Sequence, residues 1–359
     1  QKNKVNVIGA GVIGITTALI LQRNGYQVQI LAEHWPGDSD INYTSPWAGA
    51  AWKPNFCINN AKNVDKFERI SFEAFWALLQ TPDTGLMSAT IYDYMDKKPE
   101  LNRDVWYREF VPKFRVLPPK KLPPGVEFGL SYTTITIHGP KYIRWLLKQF
   151  TIAGGTTKKV HLSHINESFD DDVDIVVNCT GINARTFGGV QDDSVFPTRG
   201  QTVVVWAPHI KTLYYRSDSD YMSYVIPRED GEVILGGTFD ENSLNEKPDS
   251  KTAESIIQRC VELCPELTLG VSTPALKIIS HNVGRQPTRI GGIRLEIEIR
   301  KNDKGKNIIV CHNYGHHSYG YSSSWGSCLK AFELIEAAIT NEQRNERKKD
   351  FDSFFTTKF

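Results

Sequence analysis

Apolar positions alternate with polar ones, then recur at helical spacing, and then alternate again over the first thirty or so residues. Val5-Asn6-Val7-Ile8 reads as a strand, Ile15 to Arg23 as a helix stopped at Gly25, and Tyr26-Gln27-Val28-Gln29-Ile30-Leu31 as a second strand. The opening of the chain is therefore a βαβ unit. Helical spacing returns over 70–80, where Ile70, Phe72, Phe75, Trp76, Leu78 and Leu79 recur, and again from Tyr142 to Phe150. Between them, Pro112 to Gly125 is rich in Pro and Lys and predicts a surface connection. Asp174 to Cys179 predicts a buried strand that rejoins a parallel sheet and breaks at Thr180-Gly181. Tyr224 to Arg228 and Val233 to Thr238, split by Glu229-Asp230-Gly231, predict an antiparallel hairpin. Ile308 to His312 is a last strand, followed after Asn313-Tyr314-Gly315 by a helix from about Ser324 to Ala338. No internal period points to a solenoid or coiled coil.

Composition sharpens this picture only a little. With 359 residues and 40 % hydrophobic content, the chain can build cores for two lobes. Its 42 Lys and Arg nearly cancel 41 Asp and Glu, so net charge favours neither nucleic acid nor an anionic membrane, and a charged ligand must be read locally. No apolar run approaches the roughly 20 residues of a membrane span. The cysteines, Cys57, Cys179, Cys260, Cys264, Cys311 and Cys328, form no CxxC pair and no metal-like spacing with histidine. A reduced, intracellular setting without a metal site is expected.

Candidate chemistry begins at Gly9-Ala10-Gly11-Val12-Ile13-Gly14, between the first strand and the first helix. Gly9 permits the tight turn, Gly11 lets the backbone approach a pyrophosphate, and Gly14 lets helix and strand pack closely. The helix N-terminus offers unpaired N–H groups to phosphate oxygens. Glu33, just past the second strand, stands near the roughly 20-residue offset at which a carboxylate accepts ribose hydroxyls, which argues against a 2′-phosphate. The motif by itself leaves FAD and NAD open.

Further segments follow in order: Tyr43-Thr44-Ser45-Pro46-Trp47-Ala48-Gly49-Ala50, Val177-Asn178-Cys179-Thr180-Gly181, Pro197-Thr198-Arg199-Gly200-Gln201, Tyr224-Val225-Ile226-Pro227-Arg228, Gly236-Gly237-Thr238, Gly292-Ile293-Arg294-Leu295-Glu296 and His312-Asn313-Tyr314-Gly315. With the glycine motif, they resemble the D-amino-acid oxidase family, which includes the D-aspartate oxidases, and the Tyr-Thr-Ser-Pro-Trp-Ala-Gly form is most similar to fungal members. The resemblance implies an α/β protein: a Rossmann-type FAD-binding domain over 1–55, 150–200 and 285–345, and a largely antiparallel substrate-binding domain over 56–149 and 201–284. It implies FAD rather than NAD. The reaction it implies takes a D-amino acid and O₂ to an imino acid, hydrolysed to keto acid and ammonia, with release of H₂O₂. A homodimer and a peroxisomal location are implied as well, although Thr357-Lys358-Phe359 does not match an SKL-type address.

By the same resemblance, Gly9, Ala10, Gly11, Val12, Ile13 and Gly14 hold the pyrophosphate, Glu33 and His34 stand at the ribose, and Thr44 and Ser45 are phosphate-side hydroxyls. Gly49, Ala50, Ala51 and Trp52 line the flavin with backbone groups. Ser318, Gly320, Tyr321 and Ser322 wrap its pyrimidine end, and Ile165, Cys179, Gly181, Gly315 and His317 complete the cofactor lining. Such chemistry needs orientation more than a base: donors for the substrate carboxylate, acceptors for its amine, and walls against water. Tyr224 matches the family's carboxylate-binding tyrosine, and Ser318 is placed as an acceptor for the amine. The family's Gly-x-Arg-Pro reads Gly284-Arg285-Gln286-Pro287 here, so strict alignment puts Gln286 in the arginine's place. Arg285 is taken as the carboxylate ligand, which requires a local bulge because neighbouring strand residues face opposite ways. His317 replaces a small residue beside the flavin. Lys53 falls near the active-site entrance, where a cation could favour acidic substrates, whereas Phe239 argues for a neutral or aromatic D-amino acid. The alternatives are a D-aspartate, D-glutamate or glycine oxidase, an NAD-dependent dehydrogenase, or an FAD-binding member with altered catalysis.

Overall fold

The structure, a computed structural model, describes residues 3–54, 64–99, 105–217, 221–269 and 276–356, with side chains up to residue 340. In chain order its elements are β1 (Lys4–Ile8), α1 (Val12–Arg23), β2 (Gln27–Ala32), α2 (Val64–Leu78), β3 (Leu86–Met95), β4 (Arg115–Val116), β5 (Phe128–Ile137), α3 (Gly139–Ile152), β6 (Thr156–Lys159) and β7 (Ile175–Asn178). They continue with β8 (Val195–Trp206), β9 (Leu213–Ser217), β10 (Met222–Pro227), β11 (Glu232–Gly236), β12 (Asp240–Glu241), α4 (Ser250–Leu263), β13 (Lys277–Arg289), β14 (Arg294–Lys301), β15 (Asn307–Tyr314) and α5 (Ser324–Thr356).

Two sheets organise them. The first has order β14-β15-β7-β1-β2-β6 and is parallel except where β14 pairs antiparallel with β15. Its central strands are apolar and buried along their length, Val5, Val7, Ile175, Val176 and Val177 among them, as expected of strands covered on both faces. The second has nine strands in the order β12-β8-β11-β10-β9-β3-β5-β4, with β13 on the other edge of β8. Only β3 and β9 run parallel in it.

The predicted hairpin is β10–β11, with Tyr224 opposite Gly236 and Pro227 opposite Val233. The predicted helices are α2, α3 and the start of α5. Pro112 to Gly125 is not wholly irregular, since β4 within it pairs with β5. Sequence patterning passed over β3, β5 and β13, because Thr, Ser and His interrupt their apolar runs and the partners lie far away in the chain. Helix α3 packs beside α1, and Trp325 Nε1 of α5 donates 2.8 Å to Tyr142 Oη of α3. The five described cysteines are free, and Cys57 lies outside the described residues. Among the described residues no helix is long and apolar enough to cross a membrane.

Candidate active site

A cavity of ≈ 1060 Å³ runs from the glycine turn after β1 to the inner face of the nine-stranded sheet. At its first end the backbone leaves no room for side chains. Gly9 sits at φ +107°, and a Cβ on Gly14 would lie 1.9 Å from Gly9 O. Helix α1 starts at Gly11 without a side-chain cap to its own amides, and Ser45 Oγ, from a distant loop, accepts only the Val12 N–H at 3.0 Å. The positive end of the helix dipole therefore opens into the cavity. Gly9, Gly11, Val12, Ile13 and Gly14 line this end with Thr44 and Ser45. Ala10 does not: its methyl is in the core and its carbonyl accepts the Tyr43 hydroxyl at 2.7 Å.

At the end of β2, Glu33 and His34 also line the cavity. His161 Nδ1 lies 2.9 Å from Glu33 Oε2, and this carboxylate raises the exposed imidazole's pKa. His161 was missed in the sequence because its partner is 128 positions away. Cys179, Gly181 and Gly315 line the same channel, as do Leu162 and Ser163. Ile165, expected there, instead has its fully buried side chain in a core cluster with Ile8 and Phe169. The following short helix turns it inward, and the residues just before it form the wall.

The middle of the cavity is bounded by Gly49, Ala50 and Ala51, which run beside β5: Ala50 N and O pair with Ile137, and Trp52 N donates to Ile135 O at 2.8 Å. Arg228 holds this segment from behind, its guanidinium donating to Gly49 O at 3.1 Å and to Glu232 at 2.9 Å. Because the segment is extended, alternate residues face opposite ways. Ala51 and Lys53 face the cavity, and Trp52 does not. The Trp52 indole is fully buried against Phe72, Trp106, Tyr107 and Phe110, with Nε1 donating 2.8 Å to Glu68 O. The role expected of residue 52 is one of its backbone, and its side chain belongs to the core.

The far wall is the sheet itself. Tyr224 of β10 is registered with Tyr215 of β9, their rings stacked with centroids 6.0 Å apart, and Tyr215 with Asp93 of β3. On the other side Tyr224 faces Gly236, where a Cβ would stand 2.0 Å from its ring. The two glycines after Leu235 thus let the Tyr224 ring lie across β11. Burial raises this phenol's pKa well above its usual value, so it stays a donor. Leu213, Met222 and Ile226 are the apolar neighbours in the wall. Tyr215 could have been found from the alternation in Leu213-Tyr214-Tyr215-Arg216-Ser217, once β9 was known to lie beside Tyr224.

Strand β13 settles which of two neighbours enters. Its one irregularity lies between Ile278 and Ser280, so 282–286 keep strict alternation, and Asn282, Gly284 and Gln286 line the cavity. Arg285 faces the opposite way. Its guanidinium donates to Asn42 Oδ1 at 2.9 Å, Leu244 O at 2.6 Å and Glu246 at 3.3 Å, beside its register partner Arg199, which binds Asn245 O, Lys247 O and Asp240. The expectation that Arg285 reaches the carboxylate site is therefore corrected: no bulge exists at that point, and the arginine pins two loops together. Gln286 Oε1 is buried without a hydrogen-bond partner.

The last wall is the turn before α5. His317 takes φ +50° and stacks on Phe239 and Tyr319, while Ser318, Gly320, Tyr321 and Ser322 line the cavity. Tyr321 Oη donates to Ser45 O at 2.8 Å, tying this turn to the loop that carries Ser45. His316 Nε2 pairs with Ser327 Oγ at 3.0 Å, and burial pushes its pKa down to about 3. Elsewhere, His138, Asp230 and Glu232 come together, but Arg228 and Lys141 stand in the same cluster and neutralise it.

Known proteins resemble this chain over most of its length. A family model described as FAD dependent oxidoreductase matches residues 4–334. The D-amino-acid oxidase of Schizosaccharomyces pombe is 34 % identical over 336 residues, covering 91 % of this chain and 94 % of that protein. The D-aspartate oxidase of Cryptococcus neoformans var. grubii is 31 % identical over 94 % of this chain and 98 % of its own length. Among solved structures, glycine oxidase from Geobacillus kaustophilus superposes with TM-score 0.72 at 15 % identity, covering 94 % of this chain and 95 % of that one, which shows a shared fold.

Proposed function

The chain belongs to the FAD-dependent oxidoreductase family, with D-amino-acid oxidases among its relatives, and we propose that it is an FAD enzyme that oxidatively deaminates D-amino acids. The observation that carries this reading is one continuous cavity joining the open N-terminus of α1 to the face that holds Tyr224 and Gln286. The residues fit a dinucleotide: glycines where a Cβ would strike backbone, an uncapped helix start for a pyrophosphate, and Glu33 at the ribose position. Gly49 to Ala51 and the turn from Ser318 to Ser322 would hold the ring system. FAD, when bound, accepts the two electrons that leave the substrate's Cα with its hydrogen.

The chain's own residues orient and exclude. The Tyr224 hydroxyl, fixed over Gly236 and Gly237, donates to the substrate. The Gln286 amide presents an orphaned acceptor and an N–H donor, and Ser318 offers a further acceptor for the amine. Leu213, Tyr215, Met222, Ile226 and Phe239 surround the remaining space with apolar surface, which suits a neutral or aromatic side chain. The product imino acid is hydrolysed by water to keto acid and ammonia, and O₂ takes up the electrons to leave as H₂O₂. The lobes follow the two sheets, with α3 joined to the cofactor side through α1. Free cysteines suit an intracellular compartment, the peroxisome being the one that matches peroxide release. Exposed Trp206, Ile278 and Ile279 at adjoining ends of β8 and β13 offer a face for a homodimer.

Anaerobic mixing of the FAD-loaded protein with a panel of D- and L-amino acids tests the reading. Bleaching of the flavin by D-alanine or D-phenylalanine but not by the L forms is expected. No bleaching by any D-amino acid overturns it.

A further inference from the structure

We propose that Lys53 is the cationic contact for a carboxylate of the substrate. The inference rests on the amino-acid oxidase reading and on a survey of charge in the cavity. An amino acid entering an enclosed site brings a carboxylate, and an anion taken out of water without a counter-charge is strongly disfavoured. With Arg285 committed on the far face of β13, Lys53 is the one Lys or Arg among the described residues that line the cavity. His34 and His161 stand at the nucleotide end beside Glu33, Asp38 and Asp40. His316 and His317 are held neutral by burial.

Lys53 is also placed for the task. It follows Ala51 on the cavity side of the extended segment, and its side chain is 18 % exposed. Beneath it, Nζ lies 3.3 Å from the fully buried Asp93 and 4.0 Å from the centroid of the Tyr215 ring, whose other neighbour is Tyr224. A carboxylate below and an aromatic face beside it steady the ammonium, and an ammonium has three donors, so donor capacity remains toward the cavity. Asp93 is fully buried and Glu68 lies behind the same wall, so both carboxyls stand on the side of Lys53 away from the cavity. Lys53, Tyr215 and Tyr224 thus line the same wall of the cavity, with the Tyr215 ring between the ammonium and the Tyr224 phenol.

The test uses FAD-loaded Lys53→Met, with the double variant Lys53→Met/Asp93→Asn so that no uncompensated buried carboxylate confuses folding, and Lys53→Arg as the rescue. Half-saturation of flavin reduction is measured with D-alanine and D-aspartate, and binding of unreactive propionate by perturbation of the flavin spectrum. We expect weakening of about 10- to 100-fold, the size of a lost charge-assisted hydrogen bond, and partial recovery in Lys53→Arg. Weakening with all three ligands assigns the α-carboxylate, and weakening with D-aspartate alone assigns a side-chain carboxylate. Either outcome upholds Lys53 as the contact. A change below about twofold for every ligand overturns it, while reduction of the wild-type flavin by D-alanine leaves the oxidase reading intact. If no D-amino acid reduces the wild type, that reading fails, and propionate binding still reports on Lys53.

Discussion

Tyr224 and the Arg285–Gln286 pair show how much one residue's facing decides. Removing the Tyr224 hydroxyl leaves its ring over Gly236 and Gly237, so Tyr224→Phe should raise KM for D-alanine about fivefold with a smaller effect on kcat, as when a binding contact is lost. Steady-state kinetics decide, and an unchanged KM would remove Tyr224 from the substrate's contacts. Arg285 and Gln286 should separate cleanly. Arg285→Ala strips charged hydrogen bonds from the loops at Asn42 and Leu244 and should lower stability by about 2 kcal/mol, read by thermal unfolding. Gln286→Ala should raise KM with little change in Tm. The opposite split would show that Arg285 swings inward in solution. The sequence could mark both residues as candidates, since motif position and strand alternation are local; it could not say which face of β13 meets the cavity.

At the scale of elements, the β1–α1 joint bears the most constraint. A Cβ at position 14 meets the carbonyl of Gly9 at 1.9 Å, a backbone atom that can yield only if helix and strand move apart. Gly14→Ala should therefore destabilise the protein by about 1–3 kcal/mol and shift the helix N-terminus. FAD retained through gel filtration should fall in parallel, and normal retention would mean the helix start is not a phosphate site. This joint was legible because glycine spacing, strand and helix follow one another within thirty residues. Ile165 misled for the converse reason. Its neighbours Leu162 and Ser163 line the cavity, but the short helical turn after His164 sends the Ile165 side chain into a core.

The whole molecule is sewn together where α2, the turn before α5 and the extended segment through Trp52 meet. Glu68 of α2 accepts from Ser322 Oγ at 3.1 Å, its own carbonyl receives the Trp52 indole, and burial raises its carboxyl pKa from 4.5 to about 8. Between those values the folded protein holds a proton that the unfolded chain has released. Folding then takes up a proton, and stability falls as pH rises from about 4.5 to 8, by at most about 1.4 kcal/mol per unit. Glu68→Gln keeps the acceptor for Ser322 without the titration, so its Tm should match wild type near pH 5 and exceed it at pH 8. A difference that stays constant with pH would sink this account. None of this was visible in the chain, because Glu68, Ser322 and Trp52 carry no motif in common. What the sequence determined by itself was local: the dinucleotide turn, the hairpin that carries Tyr224, the family's order of segments. Only the tertiary structure decided the facing of Arg285 and Gln286, the burial of Trp52 and the placement of Lys53 over Asp93 and Tyr215, because those depend on which strands from distant parts of the chain pair and in what register.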